Sequence, residues 1–391
     1  MRHYLDHAAT TPLRPEARDA WIDATSVIGN AASTHGAGQD ARRLLEESRE
    51  RIAAVLGCDP IEVVLTSGGT ESINTALRGL WQSRPDGTTA IVLPDAEHHA
   101  TMDTVAALAG EGAEVRAVPV TAEARIDPEA FTQALPGAAM ATALVANNEA
   151  GTVNDAPALA RAAAKARVPL HLDAVAALGH VDVSFRGLRG GAPDASGLVA
   201  MSVAGHKIGA PVGVGALVVA RTARMGPLLR GGAQQRGLRA GTQDIAGASA
   251  FAVALEAAEA ERAGESERLR VLRNRLVSGI LDRVPEAVLL GDPVDRLPGN
   301  AHVLFPGAVG ESLLFLLDVA GIAASTGSAC QAGVAEPSHV VLAMGRGEQD
   351  ARSALRFTLG RTSTDEDVDA VLAVIADTYL RASGSGSGIR S

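Results

Sequence analysis

Short runs of branched or apolar residues alternate along the chain with longer stretches in which apolar positions recur every three or four residues. Two periods alternating in this way predict strands joined by helices, an α/β fold. The spacing predicts strands at Glu62–Thr66, Thr89–Leu93, Ala143–Ala146, Leu170–Asp173, Leu198–Val203 and Gly215–Val219. Helices are predicted at Gln39–Leu56, Thr70–Trp81, Ala100–Ala109 and Ala156–Arg167. Several strand segments are apolar at every position, as a parallel sheet covered on both faces requires. A charged segment, Ala250–Arg283, keeps helical spacing at Leu269, Leu272, Leu276 and Ile280 and reads as the helix leaving this domain. A smaller α+β pattern follows as far as Arg381, and the closing SGSGSGIRS is low-complexity, predicting a disordered tail over residues 383–391.

Composition narrows the class. A chain of 391 residues fits two or three domains and buries a large core without disulfide or metal staples. The first nineteen residues lack the apolar core of a signal peptide, and no apolar run approaches the roughly 18 residues of a membrane span. With a formal charge of −10, bulk nucleic-acid binding is not expected. Only two cysteines, Cys58 and Cys330, fit a reducing cytoplasm, and cytoplasmic localisation is the expectation. Among 35 basic residues only Lys165 and Lys207 are lysine. Chemistry that needs an amine or a thiolate therefore has two candidates each.

Lys207 follows an apolar strand in Val-Ala-Gly-His-Lys-Ile-Gly. Arginine stays protonated, whereas a buried lysine can lose its proton and form a Schiff base, so a lysine kept here points to chemistry. Lys165 reads as solvent-facing charge on a helix. Thr66-Ser-Gly-Gly-Thr-Glu-Ser opens a helix after a strand, and the free N–H groups of such a terminus suit an anion. A second sign of an anion is the stretch from Ala195 to Gln243, which has no acidic residue but holds Lys207, Arg221, Arg224, Arg230, Arg236 and Arg239. Asp173 ends a strand, where it is either a ligand-contacting carboxylate or a helix cap. Glu97-His98-His99 and His171-x-Asp173 lack a defensible ligand spacing, so no metal is expected. Cys330 lies among small residues in Ser325-Thr-Gly-Ser-Ala-Cys-Gln-Ala-Gly, which predicts an accessible, reactive thiol, while Cys58 reads as a helix-end residue without a role. A lysine, a strand-end carboxylate and a phosphate cradle together describe a site for pyridoxal phosphate.

With those residues in place, the sequence resembles the cysteine desulfurases of the NifS/IscS type, in the class V aminotransferase group of fold-type I pyridoxal-phosphate enzymes. The resemblance runs from Tyr4 to about Ala373. It is carried by Tyr4-Leu-Asp-His-Ala-Ala-Thr-Thr-Pro, Gly29-Asn-Ala-Ala-Ser, Thr66-Ser-Gly-Gly-Thr-Glu-Ser, Glu97-His98, Asn147-Asn-Glu-Ala-Gly and Gly205-His-Lys. Further along come Arg239-Ala-Gly-Thr, Ser325-Thr-Gly-Ser-Ala-Cys and Arg356-Phe-Thr-Leu-Gly-Arg. It implies a large cofactor-binding domain over residues 15–255 with a mainly parallel seven-stranded sheet covered by helices. A smaller α+β domain, residues 1–14 and 256–382, would carry the cysteine loop and the substrate arginine.

The same resemblance implies roles. Lys207 would hold the cofactor aldehyde, His98 stack on its ring, Asp173 meet the ring nitrogen and Asn148 the ring hydroxyl. Gly69, Thr70 and His206 would hold the phosphate, joined by Thr242 from a second subunit of a homodimer. Asn30 and Arg356 would bind the substrate carboxylate, and Cys330 would accept the sulfur. The implied reaction turns L-cysteine into L-alanine, leaves a persulfide on Cys330 and passes its sulfur to an acceptor protein serving iron–sulfur assembly, tRNA thiolation or DNA phosphorothioation. A selenocysteine lyase or C–S lyase, and a sulfur-relay scaffold with feeble turnover alone, are the alternatives. Two positions depart from the common pattern: Ala176 stands where many relatives have glutamine, and Ala204 where many have serine. Each loses one hydrogen bond to the cofactor, about 0.5–1.5 kcal/mol.

Overall fold

A sheet of seven strands gathers every segment that the apolar pattern marks as a strand. The structure is a computed structural model and describes residues 2–192, 195–327, 330–331 and 334–384. In chain order its strands are β1 (His3–Tyr4), β2 (Val63–Thr66), β3 (Ala90–Pro94), β4 (Glu114–Val118), β5 (Ala138–Leu144), β6 (Pro169–Asp173), β7 (Gly197–Ala204) and β8 (Gly215–Val219). They continue with β9 (Val288–Leu290), β10 (Asn300–Leu304), β11 (Ile322–Ala323), β12 (Cys330–Gln331), β13 (Val334–Ala335) and β14 (Ala354–Thr358). The helices are α1 (Pro15–Thr25), α2 (Gly36–Leu56), α3 (Gly69–Gln82), α4 (His99–Gly110), α5 (Pro128–Ala134) and α6 (Ala156–Ala166). After them come α7 (Phe185–Arg189), α8 (Ile245–Arg283), α9 (Gly310–Val319), α10 (His339–Ala343), α11 (Glu348–Arg352) and α12 (Asp365–Ala382).

The large sheet runs β2-β8-β7-β6-β5-β3-β4. Its pairings are parallel from β4 through β7, and β8 lies antiparallel between β7 and β2. Every residue of β5, β7 and β8 is buried, which is why these segments are apolar at all positions but Thr142 and Ser202 instead of alternating. β5 starts five residues before the predicted run, because its alanines, weak strand formers, are recruited by pairing with β3 and β6. The charged segment of β4 escapes the apolar pattern altogether. It is an edge strand bonded only to β3, and exposed Glu114 there, with half-buried Arg116, suits a strand with one unpaired side.

α8 begins at Ile245, where Asp244 caps it by accepting the Gly247 N–H at 2.8 Å. At 39 residues it is about 58 Å long. Its first half, Ala248 to Ala258, packs into the buried cluster of the large sheet. Its second half packs Leu269, Leu272, Leu276 and Ile280 into another cluster with Leu5, Phe357 and Ile375. That second cluster forms around an antiparallel sheet ordered β14-β10-β9, while β1 pairs with β11 and β12 with β13. No helix among the described residues is long and apolar enough to cross a membrane. The predicted tail lies outside the described residues from position 385 onward.

Leu172 on β6 is fully buried one residue before Asp173. Leu172→Ala is expected to lower stability by about 2–5 kcal/mol. The measurement is the denaturant midpoint at unchanged slope; a loss below about 1 kcal/mol would contradict the tight packing.

Candidate active site

Parallel strands converge their carboxyl ends on one side of a sheet, and the chemistry-bearing residues follow those ends. Lys207 closes the short turn after β7, Asp173 is the last residue of β6, and Asn148 follows β5. His98 follows β3, and Gly69 and Thr70 open α3 directly after β2. Arg356 comes from β14 on the opposite wall. All of them line one cavity of about 420 Å³, together with His206, Ala176 and Ala204.

Lys207 Nζ donates to the carbonyl of Ala9 at 2.9 Å and to that of Ala8. Burial, reinforced by the Arg356 charge, brings its pKa down from 10.5 to about 8, while Asp6 and Asp173 oppose the shift. Asp173 is 2% exposed, and its carboxylate accepts the Val175 N–H at 2.9 Å. Burial pushes its pKa up to about 6, against the pull of the Val175 bond and Lys207. Such a carboxylate is short of positive charge and would be stabilised by a protonated ring nitrogen.

His98 caps α4: its Nδ1 accepts the Ala100 N–H at 3.1 Å, which leaves the ring proton on Nε2. Burial first, then Lys207 and neighbouring histidines, lowers its pKa to about 4, so the ring is neutral near pH 7. His206 sits with Nδ1 3.3 Å from Thr10 Oγ1, its pKa likewise lowered to about 4 by burial. Arg356 donates from Nη1 to the Asn148 carbonyl at 2.9 Å and from Nη2 to Asp6 Oδ1 at 3.0 Å. Its buried Nε has no hydrogen-bond partner among the described residues.

The N-terminus of α3 has no side-chain cap, so its first N–H groups are open to an anion. Gly68 precedes it at φ +142°, a conformation that favours glycine. A Cβ on Gly69 would stand 2.7 Å from Val175 Cγ2, so a larger residue would fill the cradle. An uncapped helix terminus, an underneutralised carboxylate and a deprotonatable lysine in one cavity fit the phosphate, ring nitrogen and aldehyde of pyridoxal phosphate. Ala176 and Ala204 offer only methyl groups to this cavity.

Several expectations are redrawn. Of the six lysine and arginine residues named in the basic stretch 195–243, only Lys207 lines the cavity. Arg221 pairs with Asp59 at 3.0 Å, Arg239 with Glu71 at 2.8 Å, and Arg236 donates to the Val219 carbonyl at 2.8 Å. The stretch is therefore not one anion cradle, because the chain leaves the site through β8 before most of its arginines occur. Asn30 and exposed Thr242 do not line the cavity of their own chain, and the Asn30 side-chain oxygen already accepts the Ala32 N–H at 2.9 Å. His171 is structural, bridging Thr142 Oγ1 at 3.0 Å and Ser202 Oγ at 2.8 Å inside the sheet. Cys58 is 7% exposed, and burial raises its thiol pKa to about 12. The Cys330 backbone pairs with Ala335, but its side chain lies outside what the structure describes.

The sequence assigns Glu97 no role: it is a discounted metal ligand and a letter of the Glu97-His98 motif. It is 1% exposed, its Oε1 accepts the Leu144 N–H at 2.8 Å, and its Oε2 has no partner among the described residues. Burial, with Asp173 adding to it, raises its pKa to about 8, which keeps it protonated near neutral pH. Asp6, His7 and Glu149 were in view only as letters of longer motifs. The signal for Asp6 was the carboxylate itself, which proves to be the ion partner of Arg356.

Residues 3–371 match the family described as aminotransferase class V. A Mycobacterium tuberculosis protein named IscS-like cysteine desulfurase is 46% identical to this chain, covering 97% of it and 96% of that protein. The Azotobacter vinelandii cysteine desulfurase NifS is 38% identical, covering 94% of this chain and 90% of its own. Among solved structures, a NifS-like protein has a TM-score of 0.88 at 31% identity, covering 96% of this chain and 99% of that one. DndA from Streptomyces lividans has a TM-score of 0.75 at 33% identity, with coverage of 90% and 97%. Motif order, sheet order and these likenesses agree: the chain belongs to the class V aminotransferases and, within them, to the cysteine desulfurases, a group of enzymes that depend on pyridoxal phosphate.

Proposed function

We propose that this chain binds pyridoxal phosphate, converts L-cysteine to L-alanine, and carries the released sulfur on Cys330 to an acceptor protein. The observation that supports this most directly is the meeting of Lys207, Asp173, His98 and the uncapped α3 terminus in one cavity that Arg356 faces. Lys207 would hold the cofactor aldehyde, Asp173 the ring nitrogen, Asn148 the ring hydroxyl, and Gly69, Thr70 and His206 the phosphate. When bound, the cofactor supplies an electron sink for negative charge at the substrate Cα.

The protein's own groups then have distinct tasks. Arg356 binds the substrate carboxylate, for which a planar guanidinium gives bidentate geometry. Lys207 Nζ has a pKa low enough to take the Cα proton and return it near neutral pH. His98, neutral with its proton on Nε2, would stack on the cofactor ring without adding charge. The Cys330 thiolate attacks the substrate sulfur as the Cβ–S bond breaks; the electron pair leaves with Cβ, which takes a proton to become the alanine methyl group, and the sulfur stays on Cys330 as a persulfide.

Exposure of Thr242 supports a homodimer in which that residue completes the neighbouring phosphate site, and Asn30 joins the substrate carboxylate site from a segment outside the cavity. The two buried clusters support a cofactor domain over 15–255 and a small domain over 1–14 and 256–382. The sparse cysteines fit a cytoplasmic protein.

The assignment is tested with purified holoenzyme. Cys330→Ala is expected to keep the cofactor absorbance and lose persulfide formation from L-cysteine; unchanged alanine and sulfide output would overturn the sulfur-carrier role. Lys207→Ala is expected to lose covalent cofactor attachment and at least about 10²-fold of turnover.

A second prediction concerns protons. In cofactor-free protein the acylation rate of Lys207, followed by peptide mass, should rise with pH as neutral amine forms, with its midpoint at about 8. A midpoint at the ordinary 10.5 would contradict the burial of its charge.

A further inference from the structure

The segment that follows β1 touches both cations of the cavity. Arg356 Nη2 donates to Asp6 Oδ1 at 3.0 Å, and Lys207 Nζ donates to the carbonyls of Ala8 and, at 2.9 Å, Ala9. The backbone of this segment is tied to both walls. Leu5 donates its N–H to the Ala323 carbonyl at 2.8 Å and accepts the Thr358 N–H at 2.7 Å, while the His7 N–H donates to the Thr358 carbonyl at 3.2 Å. Thr358 Oγ1 accepts the Ala8 N–H at 2.8 Å. On the opposite wall the Thr11 N–H donates to the carbonyl of His206, the neighbour of Lys207, at 3.1 Å. Asp6 thus stands between two residues bonded to Thr358, which shares a face of β14 with Arg356 two positions away.

A guanidinium has five N–H donors in one plane. In Arg356, Nη1 gives one to the Asn148 carbonyl at 2.9 Å and Nη2 gives one to Asp6, while Nε is buried. One N–H on each Nη is left over, the pair that a second carboxylate can meet in bidentate fashion. Asn148 and Asp6 come from separate parts of the chain, so turning the guanidinium out of its plane breaks at least one of its two bonds.

The same carboxylate enters the charge balance at Lys207. Arg356 disfavours the protonated amine there, and Asp6 and Asp173 favour it. His98 and His206, which also feel Lys207, have pKa values near 4 and are uncharged near neutral pH. Of the two carboxylates Asp6 is the one bonded to Arg356, so it offsets that charge at its source.

We propose that Asp6 is a positioning residue for the reaction: its carboxylate holds the Arg356 fork in the plane that receives the substrate carboxylate and offsets the Arg356 charge beside Lys207. This role deepens the proposed function, resting on Arg356 as the substrate-carboxylate residue and Lys207 as the amine that carries the proton.

The test pairs kinetics with titration. Asp6→Asn keeps the size of the side chain and removes its charge. In holoenzyme it is expected to raise KM for L-cysteine about tenfold, with kcat changed less than KM. In cofactor-free, full-length protein the midpoint for acylation of Lys207 should fall below about 8, because the Arg356 charge is no longer offset. Asp6→Glu returns the charge and should bring both readouts back towards native. Should Asp6→Asn fail to fold, Asp6→Ser also removes the charge and should move both readouts in the same directions.

Native KM and a native midpoint in Asp6→Asn would overturn the proposal. So would a fall in KM, the mark of a carboxylate that competes with substrate for Arg356. A change in one readout without the other overturns it as well, because both follow from one carboxylate. Arg356→Gln separates this role from the reading beneath it. If that variant raises KM while Asp6→Asn does not, the role of Asp6 alone fails; if it leaves KM native, Arg356 does not bind the substrate carboxylate.

Discussion

A carboxylate that must stay ionised inside a protein needs positive charge within reach, and the position of Asp173 imposes this need on the whole site. It ends the central strand β6, paired on one side with β5 and on the other with β7. Among the described residues the Val175 N–H donates to it, which does not neutralise it. Lys207, from the end of the neighbouring strand β7, is the cation that favours its charged form. Each of the two is therefore held away from its ordinary protonation by burial, and each partly restores the other. Glu97 stays out of this exchange, because the fold leaves it uncharged beside Asp173.

The strands were legible because burial on both faces leaves an apolar mark at nearly every position, as in β7 and β8. Lys207 and Asp173 were legible for a related reason: an ionisable residue at the end of such a run stands out from its surroundings. β4 was not, since an edge strand gains from charge and its Glu-Val-Arg-Ala-Val carries no apolar run. Glu149 was not either. Its hydrogen-bond partner Ser338 lies 189 residues along the chain, and nothing local to Asn-Asn-Glu-Ala-Gly announces it. The basic stretch misled because sequence proximity says nothing about which side of a strand the chain next occupies.

α8 explains how distant groups come to share a cavity. One half is packed under the large sheet that supplies Lys207 and Asp173, and the other supports the sheet that supplies Arg356. A single continuous helix transmits no bend between these walls unless its own hydrogen bonds break, so the distance between cofactor side and substrate side is set largely by its packing at both ends. Arg14 fastens it further, with its guanidinium buried against the Ile208 carbonyl at 3.0 Å and against Glu261 on α8 at 2.7 Å.

The burial of Cys58 has a consequence for where sulfur can travel. A persulfide is discharged when a second thiolate attacks it, and many thiol enzymes keep that second thiol in the same chain. Here the other cysteine is packed near the end of α2 in the core of the large sheet, with its proton held to about pH 12. Cys58, buried and protonated, is on the proposed reading not available to close a disulfide with Cys330 or to hold the sulfur in its place. On the proposed reading, sulfur loaded at Cys330 has one exit, a nucleophile brought by another molecule, so the direction of flow is fixed by which thiol the fold hides.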